Sequence, residues 1–498
     1  MEETSVVKSA VLRGVEAYPV TVEVSVSQGL PGVTIVGMAD TAVLEARHRV
    51  RCAIRACGYE WPRAHLTVNL APSEIKKTGT GLDLPIAVAI LACTRQIPTV
   101  GIADHLFVGE LNLYGGVMPI RGIVAYGMLA ETNGLSFVGP ATSASFVPQD
   151  SRALGSIAEL ARGLQALPAQ SGLSMPSKSV SGKAETLDFG DVVDQEMAKR
   201  AFVIAAAGDH GLIMVGPPGA GKSMMAKRMP TILSPLSETE RAEVLLIHSV
   251  AGQELESIAQ GVRPFRAPHH AISLGGLVGG GRPVRPGEVT LAHHGVLFLD
   301  ELPEFGPGAL QSLRQPMEDH EVRLVRVDGT YVFPCDFMLV AAANPCPCGY
   351  LGDPDHHCTC SEARVHTYQS RIGGPLMDRI DVLVDVARPA SSRVIAGTRG
   401  TTSAEMSEQV STAREYASWR RSRSHDGKPD RLRNVPELGL NDQAKATPEG
   451  TASRLGLGGR NITRIARVAR TIADIDEREF IGRDDIVEAC AFRTRAKL

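Results

Sequence analysis

The chain lacks an excess of charge of either sign: 52 Lys and Arg stand against 55 Asp and Glu in 498 residues, leaving −3. No global attraction to a polyanion follows, and any basic surface must be local. A long hydrophobic run is also missing. The longest, Leu84 to Cys93, has ten residues, about half of what a membrane-spanning helix needs, so no membrane contact is expected. The opening Met-Glu-Glu-Thr is acidic and polar and has no signal-peptide pattern, which makes a cytoplasmic location the expectation. A disulfide is not expected there. What the chain does have is 43% apolar residues, enough to bury a core in each of the two or three domains its length suggests.

Residues 212 to 223 read Leu-Ile-Met-Val-Gly-Pro-Pro-Gly-Ala-Gly-Lys-Ser. Leu212 to Val215 suit a buried parallel strand. Gly216, Gly219 and Gly221, spaced by Pro217, Pro218 and Ala220, let the backbone turn so that successive N–H groups point at phosphate oxygens. Lys222 is placed to reach the β- and γ-phosphates of ATP, and Ser223 to hold Mg²⁺. The run completes G-x-x-x-x-G-K-[ST] between a strand-like stretch and a helix-like one, Met224 to Met229, which is the context the motif requires.

A second apolar run, Val296 to Leu299, leads directly into Asp300-Glu301. Four apolar residues suit a fully buried strand, and a carboxylate at its C-terminal end lies where open α/β sheets bind ligands. Asp300 would complete the Mg²⁺ shell, and Glu301 would orient and polarise the water that attacks the γ-phosphate. A third run, Phe337 to Ala343, ends in Asn344, an amide able to hydrogen-bond both that water and the γ-phosphate.

Elsewhere the pattern is coarser. Strands are expected over Tyr18–Val26, Gly32–Val36 and His65–Leu70, and a helix over Thr41–Cys57 closed by Gly58. That helix carries Arg47, Arg51 and Arg55 on one stripe, either a solvated face paired with neighbouring acids, the first expectation, or a nucleic-acid contact. Phe107 to Ile120 reads as a hairpin, residues 166–187 as a Ser-, Pro- and Gly-rich linker, and Glu196 to Ala207 as a helix. Gly275 to Gly281, inside Arg263 to Gly281, implies a mobile insertion. Asp328-Gly329, between Glu321–Val327 and Thr330–Phe333, signals a hairpin bearing Arg323 and Arg326.

Four of the nine cysteines cluster, Cys346 and Cys348 in C-P-C and Cys358 and Cys360 in C-T-C. In extended backbone each pair points one way, and four thiolates suit Zn²⁺. His356 and His357 are near enough to substitute, and structural or redox thiols are the other reading. From Ser403 the pattern is helical. Arg414 to Arg433, basic with Tyr416 and Trp419 interleaved, is open between a phosphate contact and a solvated loop. Asn461 to Ile475 reads as a helix with Arg460, Arg464 and Arg467 on one face.

Two resemblances add to this reading. Lys76-Lys77-Thr78-Gly79-Thr80-Gly81 lies in a segment that resembles the proteolytic domain of the Lon family, whose turn carries a Ser that works with a Lys. No Ser stands in this turn, so a Ser-Lys protease is not expected, and a structural or binding role comes before Thr78 or Thr80 as nucleophile. Nearly end to end, the chain resembles the ComM/YifB family of magnesium-chelatase-like AAA+ ATPases. Val68 to Pro72 and Asp83-Leu84-Pro85 carry the likeness in the first domain, and the most specific stretches are Phe265 to His270, Gly295 to Phe305 and Asn344 to Gly349.

The resemblance implies an α/β fold with a Lon-protease-like (ribosomal S5 domain 2-like) α+β domain over 1–165 and the linker at 166–187. An AAA+ P-loop ATPase core would follow over 188–388, with an α-helical lid over 389–498. It implies a hexamer that moves DNA through its pore and branch-migrates recombination intermediates, the glycine insertion and the hairpin lining that pore. Arg379, in Gly-Pro-Leu-Met-Asp-Arg-Ile-Asp, would be the arginine finger, ahead of Arg371. Its other reading is a surface Arg paired with Asp378 or Asp381. Arg460 would be the sensor 2 arginine that points at nucleotide, ahead of Arg464. A chelatase-type motor driving metal insertion and an ATP-dependent protease are the alternatives. The chain departs from the family pattern at Asp194, where Gly is usual, at Asn441 to Gly450, a poor helix, and at Gly458-Gly459.

Overall fold

A computed structural model describes residues 3–141, 147–170, 187–327, 329–372, 374–396, 399–423, 428–441, 443–444 and 459–493. Most of the expected linker, 171–186, lies outside them, as do Asp328, Gly373, residues 445–450 and Gly458.

The first sheet starts from an antiparallel pair, Glu3–Arg13 and Glu16–Ser27, with Glu3 opposite Val26 and Arg13 opposite Glu16. Val20, Val22 and Val24 are buried while Glu23 between them is exposed, the period of two that a one-sided sheet requires. Seven strands line up in the order Gly32–Val36, His65–Ala71, Glu16–Ser27, Glu3–Arg13, His105–Phe107, Ser136–Gly139 and Arg152–Ala153. The helices Thr41–Ala56 and Asp83–Cys93 share a core with these valines. Every residue of Asp83–Cys93 is buried, which explains its apolar run without a membrane. Its one charge, Asp83, accepts two hydrogen bonds from Arg49, at 2.7 and 2.9 Å.

The second sheet has five parallel strands in the order Phe265–Arg266, Val296–Leu299, Met338–Ala343, Leu212–Val215 and Val382–Asp385. The first strand in sequence therefore lies between the last two, and the crevice where the order reverses opens at the C-terminal ends. This mixed α/β arrangement is consistent with an AAA+ magnesium-chelatase-like module. The helices Glu196–Gly208, Ser403–Arg423 and Gly459–Ile475 join the sheet in one core.

The two halves are packed together. Gly122 and Val124 donate backbone N–H groups to the Ser249 carbonyl and hydroxyl, at 2.9 and 3.2 Å. Val15, at the tip of the first hairpin, is buried in the core that holds Val322 and Phe333. The described end of the expected linker is also tied down, Gln170 donating its N–H to Ser151.

Two expectations need correction, and one departure from the family pattern is accounted for. The glycine-rich insertion is folded: Leu274–Val278 is helical with Leu277 fully buried, and Gly279–Gly280 pairs with Arg285–Pro286. A side chain on Gly287 would sit 2.4 Å from the Gly279 nitrogen, so these glycines permit close backbone contact. Arg414 to Arg433 is largely neither phosphate patch nor solvated loop. Arg414 is held by Ala206 and Asp209, and Arg420 by Asp430 and Asp474, while residues 424–427 lie outside the described range. Asp194 stands in the left-handed region with φ 60, where glycine is least strained. Here Asp adapts by accepting from Arg393 and Ala390.

Candidate active site

Register brings the singled-out residues to one edge. Val215 lies beside Ala343 and Leu299 beside Ala341, so Gly216, Asn344 and Asp300 all emerge at the C-terminal ends of neighbouring strands. Gly219 and Gly221 take φ of 80 and 85, and a side chain at Gly216 would meet the Val386 carbonyl at 2.1 Å. The Pro217-Pro218-Gly219-Ala220-Gly221 loop can take this path only with glycine at those points. It runs into the helix Lys222–Arg228.

Lys222 Nζ donates to the carbonyls of Gly216 and Pro217, at 2.7 and 3.0 Å, and to Asn344 Oδ1 at 3.1 Å. Burial pushes its ammonium below the ordinary lysine value, against the pull of Asp300 and Glu301. All three acceptors are neutral, so a phosphate oxygen would be a stronger partner for this charge. Ser223 Oγ donates to Asp300 Oδ2 at 2.6 Å, which sets a hydroxyl and a carboxylate side by side as an octahedral Mg²⁺ shell uses them. The lysine thus meets the amide and the hydroxyl meets the carboxylate, at the ends of neighbouring strands.

Glu301 follows with φ 51 and ψ 48, and its N–H donates to Asp300 Oδ1 at 3.0 Å. The left-handed turn carries its side chain away from the strand and toward His270, whose Nδ1 is 3.5 Å from Oε2. His270 also meets His269, ring centroids 4.1 Å apart, and the edge of Phe305 at 6.5 Å.

Comparison over the whole chain points the same way. A family model described as "Magnesium chelatase, subunit ChlI" matches residues 188–394, "Subunit ChlI of Mg-chelatase" matches 22–143, and "Magnesium chelatase, subunit ChlI C-terminal" matches 400–493. YifB of Escherichia coli (strain K12) is 38% identical over 99% of this chain and 98% of its own. Competence protein ComM of Haemophilus influenzae is 38% identical with the same coverage. The chain belongs to the magnesium-chelatase-like ComM/YifB family. A 67 kDa magnesium-chelatase subunit of Chlorobaculum tepidum is a partial relative, 28% identical over 32% of this chain and 23% of its own.

In this ComM/YifB-family chain, Arg379 lies at the other edge of the sheet. Asp381 donates its N–H to the Gly211 carbonyl at 3.0 Å, and Gly211 precedes the strand whose far end feeds the glycine loop. Four residues of strand at about 3.3 Å each separate the two edges by about 13 Å. Arg379 donates to Glu318, in place of the expected Asp378 or Asp381. Burial and the charges of Arg314, Arg464 and Arg460 push its guanidinium below the ordinary arginine value. Arg460 approaches Asp378 at 3.9 Å and Arg464 approaches Asp381 at 3.5 Å. Sensor 2 candidates and finger candidate thus share one cluster at the edge away from Lys222, and the expectation that Arg460 points at nucleotide is not met within the chain. Arg371 pairs with Glu304 at 3.5 Å.

The clustered cysteines do meet. Sγ atoms of Cys346, Cys348 and Cys358 lie 3.3, 3.7 and 3.6 Å apart, and Cys360 joins them with all four within 4.8 Å. A tetrahedral Zn²⁺ with sulfur at about 2.3 Å needs sulfurs about 3.8 Å apart, so the residues fit the ion. His356 stacks on Tyr350 instead of completing the set. A second group that could hold a metal, Glu243 with His293 and His294, fits less well. His293 Nδ1 accepts from the Asp336 N–H at 3.0 Å, which leaves the hydrogen of a neutral ring on the Nε2 that faces Glu243.

The hairpin forms as expected, Glu321–Arg326 against Gly329–Pro334. The insertion lies beside it, a side chain on Gly280 meeting Arg326 at 3.2 Å. Arg323 and Arg326 are exposed, although Arg323 also binds Glu321. Arg47, Arg51 and Arg55 are exposed, and among the described residues none forms an ion pair; Arg51 lies over the Trp61 ring at 5.8 Å. The expected pairing with acids is not observed.

His270 is the site residue that sequence reading missed. Its signal was present, in the Phe265–His270 stretch, but spacing alone gave no hint that the turn after an edge strand reaches the end of the next one.

Proposed function

We propose that the chain is a Mg²⁺-dependent ATPase whose rings, most simply hexamers, move branched DNA, promoting branch migration of recombination intermediates. The observation that carries the chemistry is the pair of contacts Lys222–Asn344 and Ser223–Asp300 at neighbouring strand ends, with Glu301 next in the chain and held near His270. Gly216 to Ser223 would cradle the phosphates, Ser223 and Asp300 would hold Mg²⁺, and Glu301 would polarise the nucleophile while Asn344 orients it. Mg²⁺ supplies charge neutralisation on the phosphates when bound.

The opposite edge supports the ring. Arg379, with Arg460 and Arg464 beside it, is too far from its own glycine loop and would complete the neighbour's site. DNA enters the reading through the ComM relative's name and the exposed arginines of the hairpin. We assign the division 1–165, 166–187, 188–388 and 389–498 with a Lon-like first domain and a helical lid, a cytoplasmic location, and structural Zn²⁺ on the four cysteines. A protease is disfavoured because Thr80 is tied to Glu110 at 2.5 Å and Lys77 to the Pro72 carbonyl, so these two do not pair as a hydroxyl and amine dyad would. A chelatase role is supported by the names of the three family models and of the partial relative. The deciding experiment is the ATPase rate of the purified chain with forked or four-way DNA: stimulation supports the reading, and indifference to every DNA tested removes the DNA part of it.

A further inference from the structure

The loop between the two cysteine pairs is pressed onto the phosphate-binding loop. Gly349 has φ +86, and a side chain there would lie 2.5 Å from Pro218 Cδ. Its N–H donates to the Cys346 carbonyl at 3.0 Å, so the tight turn that carries this contact begins on the first cysteine. Arg388 Nε donates to the Pro218 carbonyl at 3.1 Å. The same guanidinium covers the Tyr350 ring at 5.4 Å, meets His356 Nδ1 at 2.9 Å and approaches Asp353 at 3.8 Å. Tyr350 and His356 stack at 4.8 Å, and Asp353 accepts the N–H groups of Asp355 and His356 at 2.8 and 3.1 Å. On its other side the cluster begins two residues after Asn344, which accepts from Lys222.

From this geometry we propose that metal held by Cys346, Cys348, Cys358 and Cys360 controls the nucleotide site, by fixing the Gly349 turn and Asn344 against the glycine loop. The inference rests on the zinc assignment made above and extends it from stability to regulation. Four thiol sulfurs at these separations repel one another once ionised, and a divalent cation is what lets them stay together as thiolates. When the cation leaves, both flanks of the Cys346–Cys348 pair are freed, the Gly349 turn that touches Pro218 and the Asn344 that accepts from Lys222. Nucleotide then meets a phosphate loop that has lost one wall. Because the coupling is between two binding equilibria it must be reciprocal, nucleotide tightening the metal by the factor by which metal tightens nucleotide.

The test uses the full chain purified without chelator. Elemental analysis should find one zinc per chain. Binding of a fluorescent ADP analogue should weaken about tenfold after zinc is displaced with a mercurial, the mercurial is taken off the cysteines with excess dithiothreitol and the freed zinc is removed with chelator, and it should recover on adding zinc. On untreated protein, saturating ADP should tighten zinc by the same factor in competition with a chromophoric chelator, a measurement that holds even if the stripped chain unfolds. Arg388→Ala keeps all four thiolates and should keep its zinc while losing several-fold in ADP affinity. Zinc affinity that does not respond to ADP overturns the coupling and leaves the zinc assignment standing. Absence of metal from the purified chain overturns both.

Discussion

If Arg379 serves the neighbouring site, two inactive proteins should make an active one. Glu301→Gln keeps the shape of the side chain but loses the charge that activates water. Arg379→Ala removes the finger. Each ring made of one variant should lose about 10³-fold or more in turnover. In a ring assembled at random from equal parts, half the subunits offer an intact Glu301 and half of their neighbours an intact Arg379. About a quarter of the interfaces are then complete, and the mixture should recover about a quarter of the wild-type rate per chain. An arginine acting within its own chain would recover nothing, because every chain lacks one of the two groups. The assay is phosphate release after the variants are mixed under conditions that allow subunit exchange, with co-purification of two tags proving that mixed rings formed. Mixed rings without recovered activity would refute the assignment, and with it the argument from the two edges of the sheet. Glu318 enters as a modifier: it holds Arg379 in the single chain, so Glu318→Ala should leave ATP binding unchanged while altering turnover.

Glu301→Gln alone should bind ATP like the wild type and turn over none of it, whereas Lys222→Ala should weaken ATP binding itself by about 100-fold, the worth of losing hydrogen bonds from a charged group; equilibrium binding with fluorescent nucleotide separates the two. His270→Ala frees the Glu301 carboxylate and should lower turnover about tenfold at saturating ATP without changing ADP affinity, and an unchanged rate would reduce His270 to packing. Arg323→Ala with Arg326→Ala should abolish DNA-stimulated hydrolysis and leave the basal rate; a double variant that still unwinds forked DNA would move the contact to Arg47, Arg51 and Arg55. Burial holds His248 below the ordinary histidine value, while it donates from Nε2 to the Leu291 carbonyl at 2.9 Å. The unfolded chain therefore takes up this proton first, and the stability from neutral His248 is complete above about pH 6.5 and is lost as pH falls, by up to about 1.4 kcal/mol per unit. Thermal unfolding at pH 7.5 and 5.5 should show a smaller drop in Tm for His248→Gln.

Much of the candidate site's arrangement was legible because its signals are local. Leu212–Val215 and Val296–Leu299 are short apolar runs that end in glycine or carboxylate, and burial on both faces is what makes such runs continuous. The strand Glu3–Arg13 was not anticipated for the same reason in reverse. It lies inside a sheet with Val7 and Val11 in one core and Ala10 in another, and small or polar residues such as Ser9, also buried, erase the alternation. The glycine insertion misled because a count of glycines cannot tell mobility from close packing. The basic stretch after Arg414 misled because its acids, Asp209 and Asp474, are distant in sequence. What no local pattern could show is which edge of the sheet a residue occupies. That depends on strand order, and strand order separates Arg379 from Lys222.

A parallel sheet has a direction, and that direction constrains how copies of this chain can meet. If the Arg379 edge of one copy meets the Lys222 edge of the next through two different patches, copies grow head to tail, with an unfinished site at the open end until the last copy closes the circle. Hydrolysis per chain should therefore climb more steeply than linearly with protein concentration. A protomer diluted below assembly would hold nucleotide quietly instead of spending it.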